Sequence, residues 1–194
     1  MKNPKIIGLC GNARAGKDTF FNVSRNLLNE RKVFTERFAF ADALKQESDK
    51  FLISNLGISA FTEDAKEKEL IRPFLVTYGT HLRRKLDPDC WIKKIEPNVL
   101  SAMVQGVTPV ITDVRFGNEA DWVRSLGGVM IHIEREGFGP ANHDEAENEP
   151  ILIKKSNQIV RWETLGDNVE EYTSIVEKTL NNIKKDFREK RLRV

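Results

Sequence analysis

Cysteine is scarce in this sequence: Cys10 and Cys90 are the two thiols in 194 residues. They cannot build a disulfide framework, and no His or Cys cluster has the spacing of a zinc site. No long apolar segment follows Lys2 and Lys5, as a secretory signal would need, so both cysteines are expected to be buried thiols in a reducing cytoplasm. No stretch approaches the roughly 18 apolar residues of a membrane span. Glycine (12) and proline (7) are too sparse for a collagen-like or low-complexity chain. Neither charge dominates, since 31 Lys and Arg against 29 Asp and Glu leave +2. Lys184 to Val194 holds six basic and two acidic residues. A basic tail on a slightly acidic body argues against a long nucleic-acid-binding surface.

What is present is an alternation of strand-like and helix-like segments. Lys5 to Cys10 is a short apolar run ending at Gly11, the pattern of a buried central strand. Asp18 to Asn29 reads as a helix with Phe21, Leu27 and Leu28 inward. Val33 to Phe40 is a second strand candidate, and Ala43 to Leu56 a helix closed by Gly57. After the charged stretch Glu63 to Leu70, Pro73 is expected to open a new helix carrying Phe74, Leu75, Tyr78 and Leu82. Another helix runs from Asp89 towards Val104, kinked or divided at Pro97. Val110 to Thr112 is a buried strand, Asn118 to Leu126 a helix, Val129 to Ile133 the next strand.

Glu136 to Pro150 reads as a polar, acidic loop. Gln158 to Trp162 is a last strand. Asp167 with Glu170 forms a capping box for a terminal helix whose apolar residues Val169, Tyr172, Val176, Leu180, Ile183 and Phe187 fall on one face. Strands alternating with helices predict an α/β fold, a three-layer α/β/α sandwich around a mostly parallel sheet of about five strands, as one domain over 1–194. In such sheets the ligand site lies beyond the carboxyl ends of the strands, in the loops after Cys10, Phe40, Thr112 and Ile133.

Those loops hold the chemistry. Gly11-Asn12-Ala13-Arg14-Ala15-Gly16-Lys17 has the G-x-x-x-x-G-K spacing of a phosphate loop, between a strand and a helix. Small residues let backbone N–H groups curl around a polyphosphate, and the helix N-terminus adds unpaired donors and a favourable dipole. Lys17 would bridge the β- and γ-phosphates. Asp18 stands where a hydroxyl is usual, and Thr19 follows one place later. Asp113, at a strand end, is a candidate to hold Mg²⁺, with Thr19 as a second oxygen donor.

Arg14, Arg83, Arg84, Arg115 and Arg135 fall near these loops or on the helical insertion, and the guanidinium fork suits phosphate. Of the adjacent Arg83 and Arg84, one at most is expected to face a site. Asp42 and Lys45 follow the second strand, where a phosphate-bearing acceptor could bind, or form a surface pair. Asp144, Glu145, Glu147 and Glu149 read as a solvated acidic run. His81 and His143 are weak general-base candidates. Trp162 suits a base-stacking or a core role equally; Trp91 and Trp122 read as core.

The phosphate loop through Asp18-Thr19, together with Phe40-Ala41-Asp42-Ala43-Leu44-Lys45, Tyr78-Gly79-Thr80-His81-Leu82-Arg83, Asp87-Pro88-Asp89-Cys90-Trp91-Ile92 and Thr112-Asp113-Val114-Arg115-Phe116-Gly117-Asn118-Glu119-Ala120, resembles the bacteriophage deoxynucleoside monophosphate kinases over nearly the whole chain. The resemblance implies an adenylate-kinase-like phosphate-loop kinase. It would move the γ-phosphoryl of ATP to a deoxynucleoside monophosphate (dNMP), with Mg²⁺. By resemblance, Lys17 is the donor-phosphate lysine, Arg115 belongs to the family's Asp-Val-Arg motif, 41–105 is the helical acceptor-binding region and 135–150, with Arg135, a lid-like loop. A homodimer in the host cytoplasm, without stable nucleic-acid or membrane partners, is likewise implied. Animal phosphomevalonate kinases also resemble the chain in length and in the Gly-Lys-Asp loop, and a nucleotide-binding regulatory or DNA-processing subunit is a remote alternative.

Overall fold

The computed structural model describes residues 4–163 and 169–189, with side chains described as far as Asp186. Backbone contacts divide the chain into a sheet unit, Met1–Phe38 with Asn98–Val194, and a helical unit, Ala39–Pro97.

In the sheet unit the described strands are β1 (Ile7–Cys10), β2 (Thr35–Phe38), β3 (Thr108–Val114), β4 (Val129–Arg135) and β5 (Gln158–Trp162). All pair in parallel, in the order β2-β3-β1-β4-β5. The central β1 is buried at every residue, whereas the edge strand β2 is partly or fully exposed throughout. That contrast follows from burial on both faces against burial on neither.

The flanking helices are α1 (Lys17–Glu30), α5 (Gly117–Ser125), α6 (His143–Lys155) and α7 (Val169–Glu189). Because strand side chains alternate, one face of the sheet carries Ile7, Leu9, Ile131, Ile133, Val160 and Trp162. These pack with Phe20, Phe21 and Leu28 of α1 and with Tyr172, Val176, Leu180 and Ile183 of α7. The opposite face carries Ile6, Met130, His132 and Cys10, towards α5 and α6: Gly128 lies against Ile6 and the Val123 carbonyl, and Cys10 Sγ is 3.5 Å from Ser156 Oγ. Three layers result. Trp162 is a core residue, edge-on to Tyr172 at 5.5 Å. Trp91 is buried, but Trp122 is half-buried rather than core. Cys10 and Cys90 are buried free thiols.

In the helical unit α2 (Phe40–Leu56) is closed by Gly57 at φ 69°. Then α3 (Ala65–Val76) is capped by Asp64, whose carboxylate accepts the amides of Lys66 and Glu67. Pro73 does not open a new helix; it sits inside α3, which continues and widens into a π-helix over Thr77–Arg84. Such wide turns are rare and concentrate at functional sites. The helix α4 (Cys90–Val104) contains Pro97 without being divided there, and the boundary between the units falls directly after that proline.

Two further departures from the sequence expectation concern length. β3 runs from Thr108 to Val114, so Asp113 lies within the strand rather than ending it. The stretch 136–150, expected as a loop, becomes helical at His143: Asn142 caps α6 by accepting the Glu145 amide, and Asp144 and Glu145 suit the positive end of the helix. Asp167 and the basic positions from Lys190 onward lie outside the described residues, as does the side chain of Phe187. Among the described residues no helix is long and apolar enough to cross a membrane.

Candidate active site

The chain leaves β1 at Gly11 and enters α1 at Lys17, and the turn between is built on left-handed backbone. Gly11 has φ 128°, Arg14 φ 64° and Gly16 φ 93°. A Cβ on Gly11 would stand 2.0 Å from the Ile133 carbonyl oxygen, so only glycine lets the loop pass over β4. Gly16 precedes the first helical residue, leaving the amides of the first turn of α1 without intrahelical acceptors.

Lys17 reaches back across the loop, donating from Nζ to the Gly11 carbonyl at 2.7 Å and the Asn12 carbonyl at 2.8 Å. Burial, and then the positive charge of Arg115, pull its ammonium below the ordinary lysine value; Glu145, Asp113 and Asp18 oppose them. Four charges therefore act on one amino group. Neutral carbonyls are weaker partners for it than phosphate oxygens would be. Asp18 is exposed in the first turn of α1, where the helix dipole favours an anion. Thr19 lies in the same turn.

The end of β3 delivers Asp113, Val114 and Arg115 to the same edge. The fully buried Glu119 carboxylate accepts the Arg115 amide at 2.7 Å and the Phe116 amide at 3.0 Å. It fixes the backbone from which Arg115 projects. In the sequence Glu119 stands only within the Thr112 to Ala120 block; the signal for its role is an acid in the first turn of a helix, able to reach back to the amides before it.

Two of the four acids read as solvated are engaged. Glu145 Oε1 accepts from Arg115 Nη1 at 3.1 Å, and Glu149 Oε1 accepts from Asn12 Nδ2 at 2.7 Å. They are i, i+4 on α6, one face of the helix, and that spacing was the available signal. The same face reaches His132, which is buried. Its Nδ1 lies 3.5 Å from Cys10 Sγ, and its Nε2 is 3.6 Å from Glu134 and 4.0 Å from Glu149. Burial holds the imidazole below its ordinary pKa, with the two carboxylates in partial opposition. Burial likewise pushes the Cys10 thiol up to about 11, against the Ser156 contact and the Lys17 charge, so it is an inert packing group.

Arg135 donates to the Arg14 carbonyl at 3.4 Å while its guanidinium lies 4.4 Å from the centre of the Phe138 ring. It therefore braces the outer turn of the loop. His143 is exposed, 3.5 Å from Glu147.

The remaining sequence candidates belong to the helical unit. Asp42 lies in the first turn of α2, and the Lys45 ammonium is 5.5 Å from the Phe61 ring centre. Arg83 pairs with Glu47, whereas Arg84 donates to the Pro88 carbonyl at 3.3 Å. Adjacent on the π-helix, the two arginines have different partners. His81 is exposed.

The oxygen donors Asp113, in β3, and Thr19, in the first turn of α1, are of the hard type that suits Mg²⁺, and the Asp113 charge acts on the Lys17 amino group. The arrangement can hold a polyphosphate: a loop of amides, an ammonium, a guanidinium on a fixed backbone and a carboxylate for a cation.

A sequence model of the deoxynucleotide monophosphate kinase family matches residues 26–176. A protein of Acanthamoeba polyphaga mimivirus with the provisional name of a deoxynucleotide monophosphate kinase is 30% identical over 172 residues, 77% of this chain and 83% of the viral one. Among solved structures, the Thermus thermophilus protein TT1252 is 14% identical with a TM-score of 0.52, over 93% of this chain and 98% of that one. A dephospho-CoA kinase from Campylobacter jejuni is 10% identical with a TM-score of 0.45, over 92% and 97%.

Proposed function

The chain belongs to the deoxynucleotide monophosphate kinase family, and from that we propose that it transfers the γ-phosphoryl group of ATP to a deoxynucleoside monophosphate, giving the diphosphate and ADP. It is a nucleotide kinase, a phosphotransferase; the choice of donor and acceptor is the proposal. The observation that carries it is the phosphate loop itself, where Lys17 Nζ reaches back to the Gly11 and Asn12 carbonyls over a turn whose Gly11 admits no side chain.

An oxygen of the acceptor phosphate attacks the γ-phosphorus. The bond from that phosphorus to the β–γ bridging oxygen breaks, and the electron pair leaves with ADP. The attacking oxygen is already anionic near neutral pH, so the protein's task is alignment and charge stabilisation rather than proton removal. On the donor side the loop amides from Gly11 to Thr19 hold the β-phosphate and Lys17 follows the transferring group. Arg115, directed by Glu119, takes up charge on its equatorial oxygens, and Arg135 keeps the loop backbone in place. Mg²⁺, held by Asp113 with Thr19, would neutralise charge on the β- and γ-oxygens. On the acceptor side, Asp42, Lys45, Arg83 and Arg84 of the helical unit, within 41–105, are the candidates for binding the acceptor, with Lys45 and one of the two arginines on its phosphate. The segment 135–150 serves as a lid. A homodimer working in the host cytoplasm completes the proposal, supported by the resemblance in sequence.

The test is an ADP-release assay with ATP and Mg²⁺ against a panel of dNMPs and mevalonate phosphate. Turnover with at least one dNMP is expected. Turnover with mevalonate phosphate alone, or with neither, overturns the reading.

A further inference from the structure

One carboxylate in the helical unit has three donors. Glu47, on α2, accepts from the Tyr78 hydroxyl at 2.7 Å and lies 2.9 Å from Lys94 Nζ. Its Oε1 is 2.9 Å from Arg83 Nε, a charge contact out of hydrogen-bond alignment, and its Oε2 accepts from Arg83 Nη2 at 3.4 Å. The carboxylate side chain is 20% exposed, against 33% for Arg83 and 50% for Lys94.

The π-helix makes this convergence possible. Tyr78 and Arg83 are five residues apart, which in an α-helix of 3.6 residues per turn would put them roughly 140° apart around the axis. With i→i+5 bonding, residues five apart return to one side. The segment is also seated closely on α2, since a Cβ on Gly79 would come 2.7 Å from Leu44 Cδ2.

Two of the three donors, Tyr78 and Arg83, are fixed from behind. Tyr78 stacks on Phe74 at 5.8 Å, and Phe74 on Phe51 at 5.3 Å. The Arg83 guanidinium lies 5.7 Å from the centre of Trp91, which is itself buried and donates from Nε1 to the Gly79 carbonyl at 3.1 Å. At Glu47 the charges do not balance, for two cations meet one anion; the Asp87 carboxylate also feels Arg83 but is bonded to a further cation, Lys93. A merely structural ion pair would need only one of the two cations at Glu47. Here Glu47 engages the Nε edge of Arg83 and one direction of the lysine ammonium, and both cations retain N–H groups for a further anion.

We infer that Glu47 is a positioning residue for acceptor recognition, orienting Arg83 and Lys94 so that they present a fixed, net positive surface to the phosphate monoester of the acceptor. This deepens the proposed function and rests on it. Glu47 itself is anionic and would not touch the phosphate.

The sign of one substitution separates positioning from simple charge balance. Glu47→Gln leaves the cluster more positive. If Glu47 only offsets charge, the variant binds dNMP more tightly. If it positions, orientation is lost and binding weakens despite the added charge. The experiment measures KM for a dNMP and for ATP separately in the full-length wild type and Glu47→Gln, with melting temperatures. We expect acceptor KM to rise about tenfold with ATP KM within about twofold. Tyr78→Phe, which removes one donor and no charge, should move acceptor KM the same way by a smaller factor, and it serves should Glu47→Gln fail to fold. An unchanged or lowered acceptor KM in a folded variant, or equal rises in both KM values, overturns the inference while leaving the kinase reading intact. Absence of dNMP turnover in the wild type overturns that reading and this inference with it.

Discussion

Oε1 of Glu145 lies 3.1 Å from Nη1 of Arg115, and the other oxygen of the same carboxylate accepts the Ala141 amide at 3.0 Å. The contact occupies an arginine assigned to the transferring phosphoryl, and the same negative charge acts on Lys17. A triphosphate arriving at the loop must compete with it. The Arg115 side chain is half exposed, so the pair is worth no more than about 1 kcal/mol. Glu145→Gln should therefore lower KM for ATP, by about two- to fivefold, with little change in melting temperature. Steady-state kinetics with ATP varied checks the direction; a raised KM would show that Glu145 assists the donor rather than opposing it.

Removing the amino group of Lys17 is the sharper test of the loop. Lys17→Ala should reduce kcat/KM by about 10²–10³, the usual cost of one preorganised charge donor. The fold should survive, because the protein holds this ammonium at a cost: burial and Arg115 both disfavour its charge. Near-normal turnover together with a native circular dichroism spectrum would take Lys17 out of the mechanism.

The loop and the layers were legible because their causes are local. β5 matches its expected bounds, Gln158–Trp162, and the glycine pattern around Lys17 specifies a left-handed turn wherever it occurs. α6 was not legible, since its inward residues are acids and its apolar Leu152 comes late, behind Pro150. The widening after Pro73 was equally hidden: the π-helix brings Gly79 against Leu44, a residue 35 positions away in sequence. Glu47 gave no sign for the same reason, because its partners Tyr78, Arg83 and Lys94 are distant along the chain. Long-range pairing of polar groups leaves no periodic trace.

Glu119 should matter to stability and to catalysis together. It is fully buried and satisfies two amides, so Glu119→Ala leaves both unpaired, at about 1–3 kcal/mol for each. For a chain of this size that corresponds to about 2–4 °C of melting temperature per kcal/mol. Glu119→Gln, which keeps one acceptor oxygen, should lose less. Because Arg115 projects from the same backbone, kcat should fall in both. Calorimetry and kinetics on the two variants check the order; an alanine variant as stable as the wild type would contradict the hydrogen bonding described.

His132 should give the fold a measurable sensitivity to mild acid. Its surroundings are Cys10, Glu134 and Glu149, with the charges of Lys17 and Arg161 also acting on it. Burial lowers its pKa from the ordinary 6.5, so between that value and the folded one the unfolded chain binds a proton that the native chain refuses. Stability is then fully present above about pH 6.5 and is lost as the pH falls below it. Glu47 has a lowered carboxylate pKa, because the Tyr78 and Lys94 hydrogen bonds and the Arg83 charge outweigh burial; its loss of stability begins only below its ordinary 4.5. The two windows do not overlap at their upper ends. Melting temperature measured from pH 7 to pH 5 should therefore fall in the wild type and fall less in His132→Asn, which cannot titrate there but can still face Cys10. Equal slopes in the two proteins would mean that another group takes up the proton, and a wild-type melting temperature that rises towards pH 5 would mean that the native fold favours charged His132, drawn to Glu134 and Glu149 more strongly than burial repels it.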